Sequence, residues 1–440
     1  VNPNPDTNLN LRTAPEMGGD VRAAADRARF PEAYDAMPIG DWVAASKSAG
    51  VAEVRSALAR AGSLGILDFA RLISPAAGGC LEEMARRSAA LTRQRFGRVI
   101  RLFAPLYLSN ECINNCAYCG FSRDNPILRV TLSVDEMVRE VRALKRAGFR
   151  NVLLVAGEHP RFVSDGYLRE CVRAAAREVP GVSIEVGPME VEEYRPVVEA
   201  GAEGLVVYQE TYDRDVYREV HTLGPKKDFA WRLATPERGY DAGFRRLGIG
   251  ALFGLADWRW EAVSVAAHAA WLMRRCWKAQ VTISLPRLRP CAGEFQPRTQ
   301  LGDREWVQLI CAFRLFLPDV GLVLSTREPA GLRDGVLPLG VTLVSAGSHT
   351  EPGGYTGAGR ENVHFTRKGR AEAPVGGAVA AVAGRATAAA GQFEIADERS
   401  AAEVARVIAS LGFEPVWKDW DGGLSGAVRG LEERDVAVLA

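Results

Sequence analysis

The sequence has no surplus of charge of either sign. Its 55 basic side chains face 54 acidic ones, a net charge of +1, so it lacks the basic field by which a domain attracts nucleic acid. Cysteine is scarce: eight residues in 440, unevenly spread, cannot staple a secreted disulfide scaffold. No long hydrophobic run is present. The longest stretch of low charge, Val375–Gly391, is dominated by alanine and glycine and broken by Arg385, which argues against a membrane span and marks a low-complexity connector. Nor does a charged-then-apolar leader open the sequence; residues 1–20 are polar, rich in proline and asparagine, and expected to be disordered. The protein is expected in the cytoplasm, where thiols stay reduced and free to bind metal. With 47% apolar and 25% charged residues, it has the composition of a soluble globular protein and ample sequence for a core.

Residues 21–100 read as a helical extension, with alanine-rich amphipathic runs at Val51–Ala61 and Cys80–Leu91. From 101 to 350 the texture changes to short apolar runs alternating with amphipathic helices. The runs are Phe103–Leu108, Asn151–Ala156, Val182–Val186, Gly204–Tyr208, Leu247–Ala251, Val281–Leu285, Gly321–Ser325 and Val341–Ser345. Near-continuous apolar strands separated by helices indicate a parallel sheet covered on both faces. One helix is well marked: Ser133 and Glu136 form a capping box, Val134, Met137, Val138, Val141 and Leu144 an apolar stripe, and Gly148 the stop. Eight strands over about 245 residues predict an α/β fold, a (β/α)8 barrel of the TIM type, with an open doubly wound sheet as the alternative. Residues 351–440 are read as a C-terminal segment containing the connector. In a barrel, the catalytic groups lie just beyond the carboxyl ends of the strands.

Directly after the first predicted strand, Cys112, Cys116 and Cys119 form a C-x3-C-x2-C array on a polar loop. Thiolates at these spacings can converge on one metal centre. Structural zinc needs a fourth ligand, and neither Cys nor His follows within thirty residues. Catalytic zinc with three thiolates and no histidine is unusual, and a disulfide leaves an odd thiol. A [4Fe–4S] cluster with one iron left open fits best. The remaining cysteines, Cys80, Cys171, Cys276, Cys291 and Cys311, are isolated and read as small buried hydrophobes.

The array, with the aromatic Tyr118 before its last cysteine, resembles the signature of radical S-adenosylmethionine enzymes. The resemblance implies that the amino and carboxylate groups of S-adenosylmethionine chelate the open iron. One electron then cleaves the sulfonium to methionine and a 5′-deoxyadenosyl radical. Candidate partners for this cofactor lie at the strand ends, some by the same resemblance and some by their position and chemistry alone. Gly157 and Glu158 resemble the pair that meets the cofactor's ammonium, and Glu185 is placed to accept from the ribose hydroxyls. Arg232 is similar to an arginine near the methionine carboxylate, and Gly250, in Gly248–Leu252, would let the adenine lie against backbone. His159 and His221 sit near this face and read as hydrogen-bonded bystanders.

On the substrate side, Arg327 suits a bidentate grip on a carboxylate, with Ser345 adding a hydrogen bond. Tyr107 and Tyr208 end strands one and four and could line an aromatic pocket, and Pro286 and Arg287 follow strand six. An amino acid with an aromatic side chain is the natural guest. The stretches LYLSNECINNCAYCGFS (106–122), LLVAGEHP (153–160), VVYQETY (206–212), SLPRLRPC (284–291), LSTREP (324–329), SAGSHTEPGGY (345–355) and EPVWKDWD (414–421) resemble the aromatic amino acid lyases. Within them the resemblance is to the 2-iminoacetate synthase family, the tyrosine lyases of thiamine biosynthesis. It implies cleavage of the Cα–Cβ bond of L-tyrosine to 2-iminoacetate and p-cresol, a one-electron reductant of the flavodoxin or ferredoxin type, and a thiazole synthase subunit as partner. Tryptophan lyases share the Tyr107, Pro286, Arg327 and Ser345 pattern and are the alternative. The deazaflavin-forming tyrosine enzymes are a more distant relative. The tyrosine lyases of hydrogenase maturation carry a further C-terminal cysteine cluster, whereas no cysteine follows Cys311 here. A protein that only carries electrons on its cluster would have no use for Glu158 and Arg327.

Overall fold

A computed structural model describes residues 29–367, 370–372 and 390–417. The N-terminal stretch read as disordered, most of the Val375–Gly391 connector, and Trp420 lie outside the described residues.

Eight parallel strands close into a barrel. They are β1 (Val99–Ser109), β2 (Asn151–Ala156), β3 (Gly181–Glu185), β4 (Gly204–Val206), β5 (Arg246–Gly250), β6 (Gln280–Ser284), β7 (Gly321–Leu324) and β8 (Leu343–Ser345). Each pairs with the next, and β8 returns to β1 through Arg101↔Leu343 and Phe103↔Ser345. The open-sheet alternative is thereby excluded. Every expected apolar run carries one strand, because each must bury side chains toward both the lumen and the surrounding helices. β1 is eleven residues long and serves three neighbours. Its first residues pair with β9 (Glu414–Val416), its middle with β8, and Ala104 onward with β2. The added strand β9 thus extends the sheet below β2, where Trp417 packs edge-on against Phe149, ring centroids 5.3 Å apart.

The helix after β1 spans Val134–Arg146. The Ser133 hydroxyl accepts from the Glu136 amide (3.3 Å), the Glu136 carboxylate accepts from the Ser133 amide (2.7 Å), and Met137, Val141 and Leu144 are buried. Gly148, at φ +104°, ends it in a conformation that L-residues rarely adopt. The segment before the barrel is helical, from Phe30–Asp35 to Leu81–Phe96. It is bonded into the barrel's outer layer. The Phe30 amide donates to Glu237 (2.7 Å), the Phe30 ring stacks on His268 at 4.1 Å, and the Tyr34 hydroxyl meets Ser264 (2.9 Å). After the connector the chain runs over the carboxyl face as residues 390–396 and then forms the helix Ala401–Ser410, whose Val404 and Ile408 join the core. No helix among the described residues is long and apolar enough to cross a membrane.

Candidate active site

The loop leaving β1 is folded by its own polar side chains. The buried Arg129 guanidinium donates to the carbonyls of Asn110 (2.6 Å) and Ser122 (2.7 Å), spanning the cysteine array. Asn125 donates to the carbonyls of Cys119 (3.1 Å) and Gly120 (3.0 Å). Cys116 lies in a two-residue strand, Asn115–Cys116, paired antiparallel with His221–Leu223. The Tyr118 hydroxyl donates to His221 Nε2 (2.7 Å) while His221 Nδ1 donates to the Tyr217 carbonyl (2.8 Å). Burial, reinforced by Lys226, pushes the His221 imidazole down to about 3, so it is neutral. His221 therefore positions Tyr118, and His159 accepts from the Arg161 amide at 3.2 Å.

Cys112, Cys116 and Cys119 line one cavity with about 570 Å³ of empty space, together with Gly157, Glu158, Glu185, Lys226 and Arg232. Two amide N–H groups point at its sulfurs: Asn114 Nδ2 lies 3.7 Å from Cys112 Sγ, and Gln392 Nε2 lies 3.7 Å from Cys119 Sγ. Among the described residues no three His, Cys, Asp or Glu side chains gather closely enough to hold a single metal ion. Three thiols spread around one wall, with N–H donors to the sulfur and no fourth cysteine or histidine lining it, fit a [4Fe–4S] cluster with one iron free.

Gly157 and Glu158 lie against the cysteine loop: the Gly157 amide donates to the Ser109 carbonyl (3.1 Å) and the Ile113 amide to the Glu158 carbonyl (2.8 Å). A Cβ at Gly157 would stand 2.2 Å from the Glu111 carbonyl oxygen, so only glycine admits this approach. Glu158 accepts from Asn114 Nδ2 at 2.6 Å. Gly250 is packed as closely, since a Cβ there would lie 2.5 Å from the Ser284 carbonyl oxygen. Arg232 donates to the Tyr208 carbonyl (2.7 Å) and stands 3.7 Å from Glu210, which pairs with Lys226 at 2.7 Å. Burial works against the Glu210 charge, but Lys226 and Arg232 hold its carboxyl below the usual range. Burial and the neighbouring Glu210 push Glu185 up to about 7, against the pull of Arg327.

A second cavity, about 1000 Å³, fills the upper lumen. Tyr107, Tyr208, Pro286, Arg327 and Ser345 all line it, with Phe103, Trp306 and Phe393. Arg327 lies over the Phe393 ring, its guanidinium carbon 3.3 Å from the centroid. Ser345 Oγ accepts from the Thr326 amide (3.1 Å) beside it, and the Tyr208 hydroxyl donates to Ser284 (2.8 Å). Arg287 does not itself line the lumen: its guanidinium is held behind it by Glu328, which does, and by Asp303 (2.7 Å). The two cavities share Cys119, Val155, Glu185, Glu210 and Gln392 as a common wall.

Sequence reasoning missed four of these groups. Asn114, between the first two thiols, carried a local signal in its position; Glu210 and Lys226 come together only through the fold. Gln392, at the edge of what reads as a low-complexity connector, carried none.

The sequence matches the radical SAM superfamily over residues 106–265 and the biotin and thiamin synthesis associated domain over 284–414. It is 41% identical to 2-iminoacetate synthase of Escherichia coli K12 over 365 residues, 83% of this chain and 89% of that one. The enzyme of the same name from Salmonella typhimurium LT2 is also 41% identical, over 82% and 88%. Among solved structures, a HydG maturase of the [FeFe]-hydrogenase aligns with TM-score 0.77 at 28% identity, covering 88% of this chain and 81% of its own. HydG from Carboxydothermus hydrogenoformans aligns with TM-score 0.73 at 33% identity over 84% and 80%. Methylornithine synthase, at TM-score 0.62 and 21% identity, shares the fold. The thiol-lined chamber, the lumen beside it and this degree of identity over most of both chains lead to one conclusion: the chain belongs to the radical SAM superfamily and, within it, to the 2-iminoacetate synthase family.

Proposed function

We propose that the protein is a radical SAM lyase that cleaves the Cα–Cβ bond of L-tyrosine, yielding 2-iminoacetate and p-cresol for the thiazole ring of thiamine. The observation that carries this reading is the common wall between the thiol-lined chamber and the lumen holding Arg327, Tyr107 and Tyr208. When bound, the [4Fe–4S] cluster and S-adenosylmethionine supply the electron and the 5′-deoxyadenosyl radical that begin the reaction. Everything else is the work of this chain. Cys112, Cys116 and Cys119 would ligate iron, Glu158 would take the cofactor's ammonium, Glu185 its ribose hydroxyls and Arg232 the methionine side, while Tyr118 and the close-packed Gly157 and Gly250 would shape its cradle. Arg327, desolvated and braced on Phe393, grips the tyrosine carboxylate with Ser345, and the Tyr107 hydroxyl faces the amino group. Tyr208, Trp306 and Pro286 enclose the phenol and exclude water.

The hydrogen taken from the amino group ends in 5′-deoxyadenosine. The departing 4-hydroxybenzyl fragment gains one electron and one proton to become p-cresol, and the two-carbon remainder leaves as the imine. The electrons come from an external flavodoxin- or ferredoxin-type donor. Because the imine hydrolyses in water, it passes directly to a thiazole synthase subunit, in the cytoplasm where both the donor and reduced thiols are available.

The test is anaerobic incubation of reconstituted, dithionite-reduced protein with S-adenosylmethionine and tyrosine. The expected products are 5′-deoxyadenosine, methionine and p-cresol. Absence of 5′-deoxyadenosine refutes the radical chemistry. Its formation without p-cresol, or an indole product when tryptophan replaces tyrosine, refutes the substrate.

A further inference from the structure

Residues 390–396 form a roof over the lumen, held by backbone on both flanks. The Gln392 amide donates to the Thr350 carbonyl (2.9 Å), and the Gln392 carbonyl accepts from the Gly120 amide (2.9 Å). A Cβ at Gly120 would lie 2.6 Å from the carbonyl oxygens of both Gly391 and Gln392, so only glycine admits the roof at this point of the cysteine loop. Farther along, Glu394 donates from its amide to the Pro290 carbonyl and Ala396 to the Thr326 carbonyl, each at 2.9 Å.

With the backbone so held, the Gln392 side chain reaches between the two chambers. Its Oε1 accepts from the Tyr107 hydroxyl at 2.8 Å, and its Nε2 donates to Cys119 Sγ at 3.7 Å. The orientation follows from chemistry: a thiolate needs a donor and the phenol proton needs an acceptor, and a carboxamide supplies one of each. The reversed amide would set its oxygen against the sulfur. Gln392 also lines both chambers.

We infer that Gln392 is a positioning residue that couples the two halves of the site, aiming the Tyr107 hydroxyl at the substrate amine and withdrawing charge from the Cys119 sulfur. This rests on the tyrosine-lyase reading for the first role and on the thiol-bound cluster alone for the second. A hydrogen bond to a cluster thiolate favours the reduced, more negative state, so it moves the potential upward. Fixing Tyr107 keeps the substrate's hydrogen aligned, so that each cofactor cleavage yields product.

The experiment compares wild type, Gln392→Leu and Gln392→Glu as reconstituted full-length chains. Iron content and an electron paramagnetic resonance redox titration are measured with neither cofactor nor substrate added; 5′-deoxyadenosine and p-cresol are then measured together. Gln392→Leu is expected to load its cluster, to titrate at a more negative potential, and to raise the 5′-deoxyadenosine to p-cresol ratio severalfold. Gln392→Glu, which can still accept from Tyr107 but faces the sulfur with a negative charge, is expected to restore the ratio toward wild type while titrating more negatively still. An unchanged potential together with an unchanged ratio overturns the inference, whatever happens to the rate. So does loss of the cluster in both variants, the mark of a residue that merely holds the loop. If wild type makes 5′-deoxyadenosine but no p-cresol, the tyrosine-lyase reading has failed, and the potential still decides the role at Cys119.

Discussion

Asp397 and Arg333 form an ion pair from which solvent is almost completely excluded, the two side chains 0% and 1% exposed. The same guanidinium donates to the Ser345 carbonyl, and Asp397 accepts from Arg399 at 2.7 Å and 2.9 Å. The pair fastens the end of the roof to the last barrel strand beside the lumen.

Removing one member strands the other. Asp397→Ala leaves Arg333 buried and charged, which costs about 3–5 kcal/mol. Thermal unfolding of the metal-free protein is expected to show a clear fall in midpoint, much larger than for an exposed pair such as Lys47–Asp257.

Arg327→Ala is expected to abolish p-cresol formation while the iron–sulfur absorbance stays intact. Arg327→Lys keeps the charge but loses the planar fork. The loss of one charge-assisted hydrogen bond, about 1.5–3 kcal/mol, lowers tyrosine affinity roughly 10- to 150-fold. Titration of tyrosine into the loaded protein measures it, and an unchanged affinity removes Arg327 from the carboxylate site.

Glycines 157 and 187 are expected to respond differently to alanine. At Gly157 the new methyl collides with backbone, 2.2 Å from the Glu111 oxygen, and the cysteine loop must move; cluster loading and cofactor cleavage are both lost. At Gly187 it meets the Glu158 side chain at 2.6 Å, which can rotate, so the cluster loads and only cofactor affinity drops. Iron analysis followed by a binding titration distinguishes them.

Glu185 gives a pH signature. Its folded value, about 7, lies above the ordinary 4.5, so between those limits the folded protein keeps a proton that the unfolded chain has released. Stability is unaffected by this group below about pH 4.5, falls as pH rises toward 7, and is level above. In Glu185→Gln the decline contributed by this group disappears, which parallel unfolding curves of the metal-free wild type and variant at pH 5, 6, 7 and 8 would reveal.

The barrel was legible because each strand is covered on both sides: β2 and β7 read as unbroken apolar runs, and the capped Val134–Arg146 helix announced its own ends. The shared cavity of the three thiols was legible because the cysteines of the array lie close in sequence. Gln392 was not, since its partner Tyr107 is 285 residues away and its neighbours are low in complexity. Arg287 shows another contact the sequence hides: Glu328, from the next strand's end, pairs with its guanidinium, and pairing across strands leaves no local trace. The same holds for Glu210, a non-glycine residue that lines both chambers at a φ of +72°, in the left-handed region L-residues rarely adopt.

The common wall of the two chambers has a thermodynamic consequence. An amino acid zwitterion settling against Arg327 alters the field at Cys119, and with it the ease of placing an electron on the iron beyond. Coupled equilibria are symmetric, so that electron must change the grip on the zwitterion by the same factor. Tyrosine affinities measured for oxidised and reduced protein give the size of that factor. To whatever extent they differ, arrival of the substrate and arrival of the electron reinforce or oppose each other, and a wall only one residue thick decides which.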